Sequence, residues 1–288
     1  MSRSWTLVAM IVVGAMLVAC GGDGSSNTEP DTTQDSGTPT PDSEPVPDSE
    51  PVPDPGPVED TAPPPPAGPG AVTLSIDHVF DGQPLALGTD VTAPDGTTLQ
   101  INVLRYWISN VQWHQADGSS HTVPASYYLF EQTAENTRNS LTIADIPAGD
   151  YTGFTMAVGV DKEHNHSTDV FEGELSTAVE MDWGWNSGFI FFKIEGEYND
   201  NGAMTFFKAH VGKDDLYREV TVTFDAPITI DDAHQSAVQL SAEAKTIFNG
   251  WNVPDAPSIV GGPTNSPAGN VGTNYSQWFS LLAATSEE

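Results

Sequence analysis

The sequence holds almost no cysteine and little positive charge. A single cysteine, Cys20, excludes an intrachain disulfide framework and any zinc site built from several thiolates. Nine Lys and Arg stand against 40 Asp and Glu, a formal charge of -31. That balance repels phosphate backbones and anionic headgroups, so no nucleic acid partner and no electrostatic membrane footprint are expected. The Gly-x-Ser-x-Gly elbow, the P-loop and the dinucleotide-binding glycine loop are all missing, as is an Asp-x-Asp-x-Asp-Gly calcium loop. Nor does any pair of carboxylates stand in a recognisable hydrolytic motif, so the chain reads as a binding protein and not an enzyme.

Long apolar runs are missing except at the N-terminus. There Arg3 precedes an apolar stretch from Trp5 to Val18, closed by Leu17-Val18-Ala19-Cys20 and followed by Gly21-Gly22. The stretch is short for a membrane span, and small residues lead directly to a cysteine. Residues 1–20 therefore read as a bacterial lipoprotein signal peptide with a lipidated Cys20. Gly21 after the cysteine points to the outer membrane, facing the periplasm or the cell surface. Residues 21–70 then carry 14 of the 23 prolines and 11 acidic residues, with no Lys, Arg or aromatic residue. They cannot bury enough apolar surface to fold, and read as a disordered, extended, self-repelling tether.

The remaining 71–288 hold 29 acidic and 8 basic residues, a formal charge of -21, and 25 of the 26 aromatics. That length and aromatic content suit one domain with a sizeable core. Its hydrophobic period is two. Val72, Leu74, Ile76, His78 and Phe80 share one strand face; Leu99/Ile101/Val103, Phe154/Met156/Val158, Ile190/Phe192/Ile194 and Val220/Val222/Phe224 repeat the pattern. Turn signals at Asp81-Gly82, Asp95-Gly96 and Asp117-Gly118 separate them. The expected fold class is all-β, an antiparallel β-sandwich with one or two short helices, at Ala242–Asn249 and Tyr275–Leu282.

Chemistry on such a scaffold falls to histidine and tryptophan. His78 occupies a position where the pattern predicts a buried aliphatic side chain, so its ring nitrogens need partners, either a core hydrogen bond or a metal. His164 and His166, two apart, would point the same way from an extended segment, or sit in a polar loop. His210 ends an aromatic strand just before Gly212, where a glycine allows close backbone approach. Trp183 and Trp185, two apart and flanked by Gly184, Gly188, Asp182, Asn186 and Ser187, suggest a loop that exposes at least one indole. An aromatic platform of Trp183, Trp185 and Trp113 on a surface adhesion or carbohydrate-binding sandwich is the alternative.

Several segments together resemble the MbnP-like copper-binding family, whose relatives include MbnP, MopE and CorA. They are Leu74 to Val79, Leu104 to Val111, Val158 to Asp161 with Asn165-His166, Met181 to Gly196, His210 to Gly212, and Asn274 to Phe279. Asp182 and Phe189 depart from the residues usual in that family. The resemblance implies a copper site, expected as Cu(I), made by histidines and a kynurenine formed from a tryptophan after export. It implies His78 and His210 as first ligands, then His166 with His164 as its alternate, and Trp185 or Trp183 as the precursor. The implied oxidising partner is a diheme cytochrome c peroxidase-like protein of the MbnH type. Imidazole suits copper, and opening an indole turns a non-ligand into an aromatic amine with a carbonyl. The implied role is copper acquisition or handling.

Overall fold

The computed structural model describes residues 66–167, 173–177, 180–183, 188–262 and 266–288. Cys20, the signal segment, the tether through residue 65 and Trp185 lie outside the described residues. Among the described residues, fifteen strands follow in order: β1 (Gly70–Phe80), β2 (Gln83–Pro84), β3 (Asp90–Thr92), β4 (Thr98–Gln115), β5 (Ser120–Thr122), β6 (Tyr127–Gln132), β7 (Thr137–Arg138), β8 (Ser140–Ile146), β9 (Gly149–Val158), β10 (Phe192–Asp200), β11 (Ala203–Val211), β12 (Arg218–Ile230), β13 (Gln235–Glu243), β14 (Ser258–Val260) and β15 (Phe279–Glu287). Two helices, α1 (Lys162–Asn165) and α2 (Pro267–Tyr275), join them.

The strands form two sheets, so the all-β sandwich holds. The smaller runs β15-β13-β1-β2 with β8 also paired to β1; the larger runs β12-β9-β4-β10-β11-β14, with β3, β5 and β6 added on β4. Most pairs are antiparallel, but β1 lies parallel to β13 and β11 parallel to β14, so the sheets are mixed. Alternation explains β1: Val72, Leu74, Ile76, His78 and Phe80 are buried, while the residues between them are not. β13 matches it in register, with Val238, Leu240 and Ala242 beside Leu74, Ile76 and His78. The small Ala242 next to His78 limits crowding of the imidazole. β1 turns into β2 through Asp81-Gly82, both at positive φ, the signature of a tight hairpin turn. Facing apolar rows of the two sheets then bury one continuous core, each full side chain contributing about 1.5–3 kcal/mol.

Both expected helices move. Ala242 and Glu243 continue β13, and only Ala244–Phe248 coils, as a 3-10 turn. Glu243 terminates the strand because its carboxylate accepts from the backbone N–H groups of Lys245, Asp81 and Gly82. The second helix ends where it was expected to begin. Ser266-Pro267 starts it, Pro at the first helical position losing no bond, and Phe279–Glu287 is strand β15 with half-buried Phe279 and Leu281.

Candidate functional site

On the larger sheet, successive residues of a strand face opposite ways, and this creates a second apolar centre. Tyr106 and Phe192 enter the core between the sheets, whereas Trp107 and Phe191 face outward. The described residues between β9 and β10 fold over that outer face, and Trp107, Tyr127, Val160, Leu175, Met181, Trp183, Phe189 and Phe191 are buried together. Within this cover, Asp182 and Phe189 bridge in antiparallel fashion, Ile190 N–H donates to Met181 O at 2.8 Å, and Trp183 N–H to Gly188 O at 3.0 Å. Trp183 is 8% exposed, and its Nε1 donates to Gly212 O at 3.3 Å. A Cβ on Gly212 would stand 2.2 Å from Phe189 O, so only glycine permits this approach. The expectation of an exposed indole is therefore corrected for Trp183, which packing claims. Trp113 is fully buried as well, in ring contact with Tyr151 and Phe154. Two of the three tryptophans of the adhesion platform are thus buried.

His164 and His166 do not lie on an extended segment. Asp161 caps α1 by accepting from His164 N–H at 3.2 Å, and the coiled backbone sends the two imidazoles to different partners. His164 Nδ1 lies 3.0 Å from Asp161 Oδ1 and 2.8 Å from the Tyr127 hydroxyl, which itself donates to Asp161 Oδ2. Asn110, at positive φ within β4, donates to Asp161 at 3.3 Å and to the Tyr217 hydroxyl at 2.7 Å. Burial pushes the Asp161 carboxyl up, but bonds from Tyr127, His164 and Asn110 outweigh it and bring it down to about 2. Burial, and next the Asp161 carboxylate, push the Tyr127 phenol up.

His166 Nε2 lies 2.9 Å from Asp214 Oδ1, and Asn165 Nδ2 donates to the same oxygen at 2.9 Å. The Asn165 carbonyl accepts from Phe189 N–H at 2.8 Å. One amide between the two histidines therefore fastens them to the tryptophan segment.

His210 faces the same outward side. Phe207, Ala209 and Val211 of β11 fill the core, so His210 points away from it, with Nε2 2.6 Å from Glu195 Oε1. The His210 bond, and to a smaller extent Lys193, lowers the Glu195 carboxyl against the upward push of burial. His78, by contrast, is in the core. Its Nε2 lies 2.8 Å from the Tyr106 hydroxyl and its Nδ1 3.0 Å from Gln132 Oε1, beside an open cleft of about 340 Å3 lined by Asp77, Gln132 and Asn139. Burial lowers its pKa. The sandwich does not bring His78 alongside His210: His78, on β1 of the smaller sheet, enters the core, whereas His210, on β11 of the larger sheet, points away from it.

The donor chemistry fits copper on the outer side. His164, His166 and His210 each have one ring nitrogen on a carboxylate, the arrangement that orients a metal-binding imidazole and raises its basicity. His78 has both nitrogens engaged in the core and fits poorly. Among the described residues, no three His, Cys, Asp or Glu side chains gather tightly enough to hold a metal. The orienting residues Asp161, Asp214 and Glu195 and the clamp Asn165 were not singled out as site residues from sequence. The acidic cap of α1 was the available signal, since Asp161 precedes His164 by three residues.

The family model MbnP matches residues 69–261. The solved structure of MbnP from Methylosinus trichosporium is 17% identical, with a TM-score of 0.47, over 75% of this chain and 99% of that one. No curated protein matches.

Proposed function

This chain belongs to the MbnP family, and from that premise we propose that it is an exported copper-binding lipoprotein serving copper acquisition or handling. Asn165 carries this reading: its side chain joins the helix bearing His164 and His166 to the backbone of the Trp183 segment through Phe189. Imidazole donors and an oxidisable indole are thereby held by one cover on one face.

His164 and His166 would hold the metal, with His210 as the next donor, and His78 serves the core instead. Asp161, Asp214 and Glu195 fix the ring orientation of those three histidines and hold their protons at Nδ1 of His164 and at Nε2 of His166 and His210. Copper, when bound, would supply a Lewis-acidic centre that accepts the lone pairs of neutral imidazoles strongly. Trp185 or Trp183 is opened after export to kynurenine, whose amine and carbonyl add ligating atoms that an indole lacks. The oxidising equivalents come from a diheme cytochrome c peroxidase-like partner, and the domain's charge of -21 favours a partner with a basic face. Lipid on Cys20 anchors the protein at the outer membrane, and the acidic tether spaces the domain from it.

Metal analysis and peptide mass spectrometry of the mature protein from its own host, beside protein made without the partner, test this. The expected result is bound copper and kynurenine in the peptide containing Trp183 and Trp185, both lost or weakened without the partner. Absence of copper from both preparations overturns the reading. Copper with both tryptophans intact removes kynurenine alone. His164→Ala and His166→Ala should weaken copper binding by orders of magnitude, and His121→Ala and His234→Ala should not.

A further inference from the structure

The hydrogen bonds around His78 have a fixed direction. Gln132 Nε2 donates to Leu85 O at 2.9 Å, so the other atom of that amide, Oε1, is the one facing His78 Nδ1 at 3.0 Å. An amide oxygen only accepts, so the ring proton sits on Nδ1 and Nε2 carries a lone pair. The Tyr106 hydroxyl, 2.8 Å from Nε2, must then donate. Tyr106 is fully buried among Phe130, Phe192 and Trp278, with ring centroids 5.8, 6.2 and 5.0 Å away. A phenol that loses an electron becomes a strong acid, and among the described residues the base at its oxygen is His78 Nε2.

We propose that Tyr106 and His78 form a buried redox pair, in which a high-potential one-electron oxidant removes an electron from Tyr106 as its proton passes to His78. The Tyr106 O–H bond breaks and an Nε2–H bond forms, leaving a neutral tyrosyl radical beside an imidazolium. Re-reduction by one electron returns the proton. The transfer moves one positive charge over a single hydrogen bond, which avoids stranding a radical cation in the low-dielectric core. The imidazolium keeps its Nδ1–H bond to Gln132 and borders the cleft lined by Asp77, Thr137 and Asn139.

The sheet supplies a route to this pair. Tyr106 adjoins Trp107, whose indole is in the outer cluster with Phe189, ring centroids 6.2 Å apart. One peptide unit thus connects an outer tryptophan to an inner tyrosine with a proton acceptor. On the inner side, Trp278 touches Tyr106, His78 and Phe192 together. An oxidising equivalent that enters the outer cluster has in Tyr106 a place to settle. The pair works without copper, so it stands or falls apart from the copper reading.

The test uses the purified mature protein and photogenerated tris(bipyridyl)ruthenium(III) as oxidant, with freeze-quench electron paramagnetic resonance as readout. A neutral tyrosyl signal is expected, reduced at least tenfold in Tyr106→Phe and about tenfold in His78→Gln, whose amide cannot take the proton. Tyr151→Phe should leave it, because the Tyr151 hydroxyl bonds to Pro147 O and Gln115, neither of which takes up a proton. The unaltered protein gives a second check should either variant fail to fold. With 15N-histidine labelling, electron–nuclear double resonance should show the radical oxygen accepting an exchangeable proton from a histidine nitrogen. A radical on tryptophan or another tyrosine, an undiminished signal in folded Tyr106→Phe, or no coupling to histidine nitrogen overturns the proposal.

Discussion

The two apolar clusters on either side of the larger sheet are built by different rules. Between the sheets, regular strands supply matched rows, and Leu74, Ile76, Val238 and Leu240 share one core with Leu104, Phe154 and Phe192, their strands paired in ladders. Outside, the cover from Val160 to Phe191 holds only α1 and the 3-10 turn Gly173–Thr177 among its described residues. It is fastened by separate side-chain bonds. Arg138 pairs with Glu174 at 2.6 and 2.7 Å, Glu174 also accepts from Leu129 N–H, and Asn165 and Asp161 tie α1 down. A ladder distributes stability over many equivalent bonds, whereas a cover held at a few points opens when one of them is lost. Stability therefore resides in the inner cluster and the candidate ligands in the outer one.

The largest effect should come from the inner cluster. Leu240→Ala leaves a cavity between fully buried neighbours and should cost about 2–5 kcal/mol of global stability. Denaturant unfolding should show that loss while copper affinity of the surviving folded protein stays the same. A loss confined to the outer cover would break the comparison.

Asn165→Ala should come next. It removes the Asn165 acceptor from Phe189 N–H and leaves Asp214 with one donor fewer, a cost of about 1–3 kcal/mol. Because the loss is local, hydrogen exchange should quicken over 181–183 and 188–191 while β1 and β13 keep their protection. Copper binding should weaken with it. Uniform loss of protection in both clusters would show that the cover and core unfold as one unit.

The same division decides what was legible in the sequence. The inner cluster follows a period of two, so β1, its His78 and the Asp81-Gly82 turn could be read residue by residue, including the need of His78 for partners. Parallel pairing of β1 with β13 could not be, since a period of two is the same in either direction. In β11 the adjacent Phe206 and Phe207 conceal which face is buried; Phe206 is 55% exposed and Phe207 is in the core. That ambiguity hides the outward direction of His210. The outer site depends on contacts between residues far apart in sequence, such as Asn165 with Asp214 and Trp183 with Gly212, and no local period reports them.

The smallest effect separates the clusters by pH. His78 titrates near 6.5 in the unfolded chain and lower when folded, first because burial penalises the imidazolium, with Gln132 and Asp77 offsetting part of that. The unfolded chain thus binds the proton more readily. Stability from His78 is complete above pH 6.5 and declines as pH falls through the folded value. Asp161 behaves in the same sense at a lower window: lowered to about 2 from 3.8, its contribution lasts to about pH 4 and disappears toward pH 2. Urea midpoints of the wild type and His78→Gln, taken from pH 7.5 to 4.5, should differ in slope, the variant lacking the part of the decline due to His78. Exchange rates in the outer cover, corrected for intrinsic pH dependence, should hold over that range and rise only as Asp161 gains its proton. Parallel urea curves for wild type and variant would mean that the inner core holds charged and neutral His78 equally well, contrary to its engagement with Tyr106 and Gln132.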